Sequence, residues 1–285
     1  MKTRHNETGL RFRFDSLQEV QRYLESTRRV WRGRSSENNP ACPVWDLDAG
    51  WEGALKLARD GWQEGAKALR SAMARLPAMT PAPALVYAVD GIQADIGRVC
   101  AGIPECMLRP ATEAVEGSQQ VITLAVAVNA MADTKARHMA NYGTAIAKYI
   151  DDLEAAGNQV EVIAAIVSEV SGVRCAHSWT VKRAGGTINL ATLAFSIGHP
   201  AAFRRFGFGL RERLPRELVQ EDSCYGFSVD LKLSDLINPP HGTIILNGMR
   251  NAHSVARTPE AALAAVGEQI EAAMTDPEAK AVGGD

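Results

Sequence analysis

Between residues 121 and 167 the apolar positions change period twice. Residues 121–128 form an unbroken apolar run rich in β-branched side chains, the pattern of a strand buried on both faces. A polar break follows at Asn129 to Thr134. Met139, Tyr142, Ala145, Ile146, Tyr149, Ile150 and Leu153 then recur at helical spacing. Gly157 is a C-terminal stop, and residues 160–167 read as a second buried strand. Strand, helix and strand at this spacing predict a βαβ unit with a right-handed crossover inside an open sheet. The loop after the first strand is where such sheets commonly keep their chemistry. Here it holds neither a glycine-rich phosphate cradle nor a cluster of metal ligands.

Upstream, Leu10-Arg11-Phe12-Arg13-Phe14 alternates like a short strand with apolar and basic faces. Asp15 or Ser16 can cap a helix with Leu17, Val20, Tyr23 and Leu24 on one side. Four of the five tryptophans fall between residues 31 and 62. Trp51 and Trp62 are about three helical turns apart and would share a face on a continuous helix, but Gly61 predicts a break. These rings read as packing pins of a small helical layer, with ligand contact as the other reading. A helix over 63–76 follows, and the Pro-rich stretch 77–83 is the best boundary. Residues 84–89 read as a strand and Asp90-Gly91 as a turn; 92–117 carry no clear pattern.

Downstream, residues 177–183 read as a strand. They follow the preceding strand too closely for a parallel crossover, so an antiparallel pair is predicted. Residues 190–214 are helical in parts, with breaks at His199-Pro200 and Gly207. Residues 242–248 form a further strand between glycines, and Thr258-Pro259-Glu260 opens a last helix. The fold class is therefore α/β (or α+β): an open mixed sheet with a βαβ core and an N-terminal, helical, Trp-rich extension. The organisation expected is a basic N-terminal region at 1–76, a linker and hairpin-like segment at 77–118, an α/β core at 119–275 and an acidic, disordered tail at 276–285.

Composition adds little to this except in its charge. Net charge is −2, but residues 1–34 hold nine Lys and Arg against four acids, and residues 260–285 hold six acids against one lysine. A basic head suggests a polyanion partner. No apolar run of membrane-spanning length exists. The charged first residues lack the apolar region of a secretory signal. The five cysteines form no Cys-x-x-Cys pair. A cytoplasmic location follows as an expectation, in the host cytoplasm if the protein is viral.

No nucleophile elbow, Walker loop or dinucleotide fingerprint is present. Histidines 138, 177, 199, 241 and 253 have no ligand spacing, and a structural or exposed role is the simpler reading. The expectation is a protein without cofactor or metal and not an enzyme. A pocket clustering His199, His241 or Asp133 would revive the enzyme reading.

What remains is cations interleaved with aromatic rings. The residues in question are Arg11 and Arg13 beside Phe12 and Phe14, and Arg28, Arg29, Arg32 and Arg34 around Trp31. Lys182 and Arg183 follow Trp179, and Arg204, Arg205 and Arg211 flank Phe206 and Phe208. Cations neutralise phosphates and flat rings stack on unpaired bases, so this combination suits single-stranded nucleic acid. The competing reading puts Phe12, Phe14 and Phe206 in the core with the arginines in solvent.

The order of strand, helix, antiparallel pair, helix and strand resembles a von Willebrand factor A-type sheet. That family's Asp-x-Ser-x-Ser metal motif falls on Asn129, Met131 and Asp133, with both serines absent, which implies an interaction module without its metal. The Arg11–Phe14 head, Val30-Trp31-Arg32-Gly33, Gly61-Trp62-Gln63-Glu64-Gly65 and His199-Pro200-Ala201-Ala202-Phe203-Arg204-Arg205 resemble a phage family. Its members are single-stranded-DNA-binding cofactors of the phage-encoded RNA polymerase in Schitoviridae podoviruses. That resemblance implies a protein that holds a melted promoter and recruits the polymerase, on a fold unlike the OB barrel. It transfers no individual site residue. The partners expected are single-stranded DNA and a phage RNA polymerase, with no membrane.

Overall fold

The structure is a computed structural model, and it describes residues 1–6, 9–30, 36–77, 85–91, 93–110, 121–170, 173–216, 229–240, 242–247 and 256–275. In chain order the elements are β1 (Lys2–Asn6), β2 (Gly9–Phe14), α1 (Leu17–Ser26), α2 (Pro43–Asp46), α3 (Gly50–Asp60) and α4 (Gln63–Met73). Next come β3 (Leu85–Ala88), β4 (Gln93–Ala94), α5 (Ile96–Cys100), β5 (Met107–Pro110), β6 (Val121–Ala127) and α6 (Ala136–Ala155). The remainder is β7 (Gln159–Val170), β8 (Val173–Lys182), α7 (Leu190–Leu193), α8 (Phe208–Arg211), β9 (Ile244–Leu246) and α9 (Pro259–Thr275). Two π-helical stretches, Ala194–Gly198 and Ala202–Gly207, lie between α7 and α8. The chain divides into two units, residues 1–79 with 121–285, and residues 80–120.

The larger unit is built on a six-stranded mixed sheet in the order β1-β2-β8-β7-β6-β9. The predicted βαβ unit is present: β6 and β7 are parallel and joined through α6. The predicted antiparallel pair is β7 with β8. Two strands come from outside the expected core, β1 and β2, which pair with each other antiparallel. β2 pairs in parallel with β8, setting Phe12 beside His177 and Phe14 beside Trp179. The N-terminal segment is therefore an integral part of the sheet, and residues 1–76 are not a separate layer.

Alternation along each strand gives the two faces different coverings. Leu10, Phe12, Phe14, Leu124, Val126, Val162, Ala164, Cys175 and Trp179 join the main core with α1, α6 and the π-helical stretches. The opposite face carries mostly small residues, Ala125, Ala127, Ala165 and Ala176 with Ile163 and Val167. Leu231 and Leu236 pack there on either side of a single 3-10 turn, Leu233–Asp235, so among the described residues an irregular segment with one short turn covers that side.

α6 is buried over most of its circumference because α9, α4 and the first π-helical stretch flank it. A Cβ at Gly143 would come 2.9 Å from the Gly198 Cα, so the crossing of α6 over that stretch requires glycine. Gly207 does not interrupt its helix. It lies inside the second π-helical stretch, where a Cβ would meet the Ile166 side chain at 2.9 Å, so its role is close packing. Gly61 does break α3 from α4, with φ of 78°. The tryptophans act as packing pins: Trp45 meets Phe208, Trp51 meets Phe206, and Trp62 meets His199 edge-on at 4.6 Å.

Within residues 80–120, β3, β5 and β4 form a small antiparallel sheet in that order. Asp95 caps α5 by accepting the Arg98 N–H at 3.1 Å, and it also accepts the Tyr87 hydroxyl at 2.8 Å. Tyr87, Val89, Ile96, Val99 and Ile103 are all exposed.

Candidate nucleic-acid interface

Three arginines project from the helical run 202–213 onto the N-terminal segment. Arg205 is fully buried and forms an ion pair with Asp46 at 2.5 Å. Its remaining donors go to the carbonyls of Ser36, Asn39 and Pro40 at 2.5, 2.9 and 2.9 Å, and its guanidinium lies over the Trp45 ring. Arg204 donates to the carbonyls of Trp45, Ala132 and Thr134 at 2.7, 3.2 and 2.7 Å. Burial lowers its pKa from the ordinary arginine value, with Asp46 and Asp133 opposing. Arg213 donates to the carbonyls of Leu24, Thr27 and Gly209 and pairs with Glu37 at 2.6 Å. The stretch 36–46 is mostly irregular, so its carbonyls need donors from elsewhere, and a planar fork of five N–H groups supplies several at once.

This corrects part of the sequence-based set. Arg204 and Arg205 are internal fasteners and cannot reach a phosphate. Arg11 is also buried, because the segment around Ser234 covers that face of β2 and the Arg11 side chain donates to the Ser234 carbonyl. Arg13 donates to Thr180 Oγ1 at 3.0 Å and lies 3.8 Å from Glu161; burial lowers its pKa, with Glu161 opposing. Lys182 is buried against the Val160 carbonyl at 3.0 Å and pairs with Glu154 at 2.5 Å. Phe12, Phe14 and Phe206 are core residues. Of the predicted cations, Arg28 and Arg183 are exposed, and Arg29 and Arg211 are half-buried. Trp31, Arg32 and Arg34 lie outside the described residues. The residues on either side of that stretch are both anchored to Glu212. Its carbonyl accepts the Val30 N–H at 2.9 Å, and its buried carboxylate accepts the Ser36 N–H and hydroxyl, each at 2.9 Å.

Arg28 and Arg29 follow the end of α1, and there they line an open groove of about 590 Å³. Leu24, Glu25 and Thr27 line it with them, as do Trp51, Glu52 and Leu55 of α3 and the Arg213–Glu37 pair. The Arg29 Nη1 is buried and has no hydrogen-bond partner among the described residues. Trp51 is half-buried, with the Arg213 guanidinium 5.7 Å from its ring centre. Sequence reading reached Arg28 and Arg29, and took the Trp51 ring for a packing pin. It gave no signal for Glu37 or Glu52, whose place at the groove depends on how α1, α3 and Arg213 pack.

In the loop after β6 the Asn129 side chain is committed to the backbone of β7. The buried Asn129 amide donates to the Val167 carbonyl at 2.6 Å and accepts the Val167 N–H at 2.9 Å. Asn247, just past β9, makes the same pair with Leu231 at 3.0 and 2.9 Å. Asn129 extends the β6–β7 pairing by one side-chain rung, and Asn247 ties the segment at Leu231 to the end of β9. Among the described residues no group of three or more His, Cys, Asp or Glu could hold a metal ion. His177 stacks on Phe12 with ring centres 4.5 Å apart, and burial pushes its pKa down to about 3. His199 accepts the Ala201 N–H on Nδ1 at 3.1 Å, and burial pushes it down to about 4. These two are neutral structural groups, while His241 and His253 lie outside the described residues. Among the described residues no helix is long and apolar enough to cross a membrane.

A family profile described as "domain of unknown function (DUF7192)" matches residues 2–271. The chain belongs to the DUF7192 family. No curated protein and no solved structure matches it. The DUF7192 match takes in the sheet, the pinned stretch 36–46 and the Arg28–Trp51 groove together.

Proposed function

We propose that this DUF7192 protein binds single-stranded DNA through the groove between α1 and α3, and serves as a cofactor in phage transcription or replication. The observation that carries the reading is the juxtaposition of Arg28 and Arg29 with the Trp51 ring in one groove, with a buried Arg29 N–H that has no acceptor among the described residues. A phosphate oxygen would satisfy that donor, and an unpaired base offers a face for the ring. The role in transcription, with recruitment of a phage RNA polymerase, rests on the resemblance of the sequence alone. The test is a fluorescence-polarisation titration with labelled oligothymidylate at two salt concentrations. Two phosphate contacts give a slope of about −1.4 in log affinity against log salt. Charge reversal at Arg28 and Arg29 flattens that slope. Absence of binding at low salt, or affinity that salt does not change, refutes the reading.

A second reading is a von Willebrand A-like protein-interaction module without a metal. Its support is the strand order β8-β7-β6-β9 and the exposed apolar side chains Tyr87, Val89, Ile96, Val99 and Ile103. A stable protein complex lost on replacing Val89 and Ile96 with serine, in a protein that ignores DNA, would favour it.

A further inference from the structure

Resting on the single-strand reading, we infer that the α1–α3 groove is selective for bases whose Watson–Crick edge donates hydrogen bonds, guanine above all. The lining of the groove is the reason. Arg213 and Glu37 neutralise each other, which leaves Arg28 and Arg29 lining the groove together with Glu25 and Glu52. A groove for a bare polyanion would not place two carboxylates beside its two cations, since each repels phosphate. A ligand carrying an anion at one end and N–H donors at the other satisfies both. A nucleotide has that form, and about 590 Å³ is ample for one.

The carboxylates are acceptors only, so they discriminate among bases. Glu52 is exposed, adjoins Trp51 on α3, and makes no hydrogen bond or ion pair among the described residues. Glu25 receives a long contact of 3.4 Å from Gln21. Guanine presents two neighbouring donors, N1–H and N2–H, which one carboxylate accepts together. Cytosine and adenine offer an amino group beside an acceptor nitrogen. Thymine offers one imino N–H between two carbonyl oxygens, which face a carboxylate unfavourably. With the base against Trp51, its edge directed to Glu52 and its phosphate toward Arg28 and Arg29, every polar group of the groove has a use.

The experiment is a competition series in which a short labelled oligothymidylate is displaced by the same oligomer bearing one central guanine, cytosine or adenine. A single guanine is expected to tighten binding about tenfold over thymine, with cytosine and adenine between. In Glu52→Gln, a substitution that an exposed helical site accommodates, the guanine advantage falls to within about twofold. If one guanine gives no advantage in the wild-type protein, the base selectivity is refuted while single-strand binding stands. If the advantage survives in both Glu52→Gln and Glu25→Gln, the base is read elsewhere and the inference fails. If no oligomer binds at low salt, this inference and the proposed function fall together.

Discussion

Replacing Arg205 with alanine separates the structural account of the basic segments from the nucleic-acid account. The side chain is wholly buried, and its loss removes the cation from Asp46 and the donors from three carbonyls at Ser36, Asn39 and Pro40. Asp46 keeps the N–H groups of Cys42 and Gly50 at 2.8 and 3.0 Å, but as a buried anion without its counter-charge. Breaking a buried pair from one side costs about 3–5 kcal/mol. A chain of 285 residues has an unfolding entropy of about 0.6 kcal/mol/K near its midpoint, so Tm falls by about 5–8 °C. Arg205→Ala combined with Asp46→Asn is expected to lose less than the sum of the single variants, because the stranded charge is gone. Thermal unfolding followed by circular dichroism reads both. A Tm shift below about 2 °C refutes the argument, since the cost of a stranded buried anion would then be missing. Unchanged Tm with lost oligonucleotide binding would return Arg205 to the interface.

Three further outcomes are expected. His177 and His199 are held neutral with folded pKa values of about 3 and about 4, so the unfolded chain takes up protons first as pH falls below about 6.5. Stability is therefore present above pH 6.5 and declines toward pH 4 by up to about 1.4 kcal/mol per pH unit for each histidine; His177→Phe keeps the stack on Phe12 and halves the slope in urea titrations against pH. Gly143→Ala drives a methyl into the Gly198 backbone and costs about 1–3 kcal/mol, read as a lower urea midpoint with unchanged m-value. Asn129→Asp loses the donor to the Val167 carbonyl and buries a charge beside it, costing about 3 kcal/mol or more; added magnesium does not restore the midpoint, whereas a latent metal site would.

The elements that sequence reading placed well are those with a periodic signal and a local cause. The βαβ unit, the antiparallel β7–β8 pair, the break at Gly61 and the Thr258 cap, whose hydroxyl accepts the Ala261 N–H at 3.2 Å, are of this kind. The alternation Leu10-Arg11-Phe12-Arg13-Phe14 identified a strand but not its neighbour. Parallel pairing with β8 joins residues far apart in sequence, and alternation carries no information about register across such a gap. The same alternation placed Arg11 opposite the core correctly, yet solvent was the wrong inference, because residues 229–237 cover that face.

The basic-aromatic density has a different origin. A stretch without regular structure leaves carbonyls unpaired, and a buried cation that can bond several of them at fixed angles is a general solution. Arg205 does this for Ser36, Asn39 and Pro40, Arg204 for Trp45, Ala132 and Thr134, and Arg213 for Leu24 and Thr27 at the end of α1; the rings beside them are the packing in which they are embedded. In composition such a fastener looks the same as a phosphate-binding surface; only the supply of unsatisfied carbonyls distinguishes them. The end of the sheet, where α/β proteins commonly place their chemistry, is meanwhile occupied by the Asn129 and Asn247 side chains. With Asn129, Asn247 and the internal arginines accounted for structurally, the cations left for a ligand are those with donors that find no partner among the described residues. Arg29, with a buried N–H that meets no acceptor among the described residues, is the clearest of these, and it lies in the groove that also holds Trp51. A donor left unmatched in this way costs the free protein about 1–3 kcal/mol, and binding an anion at that position recovers it.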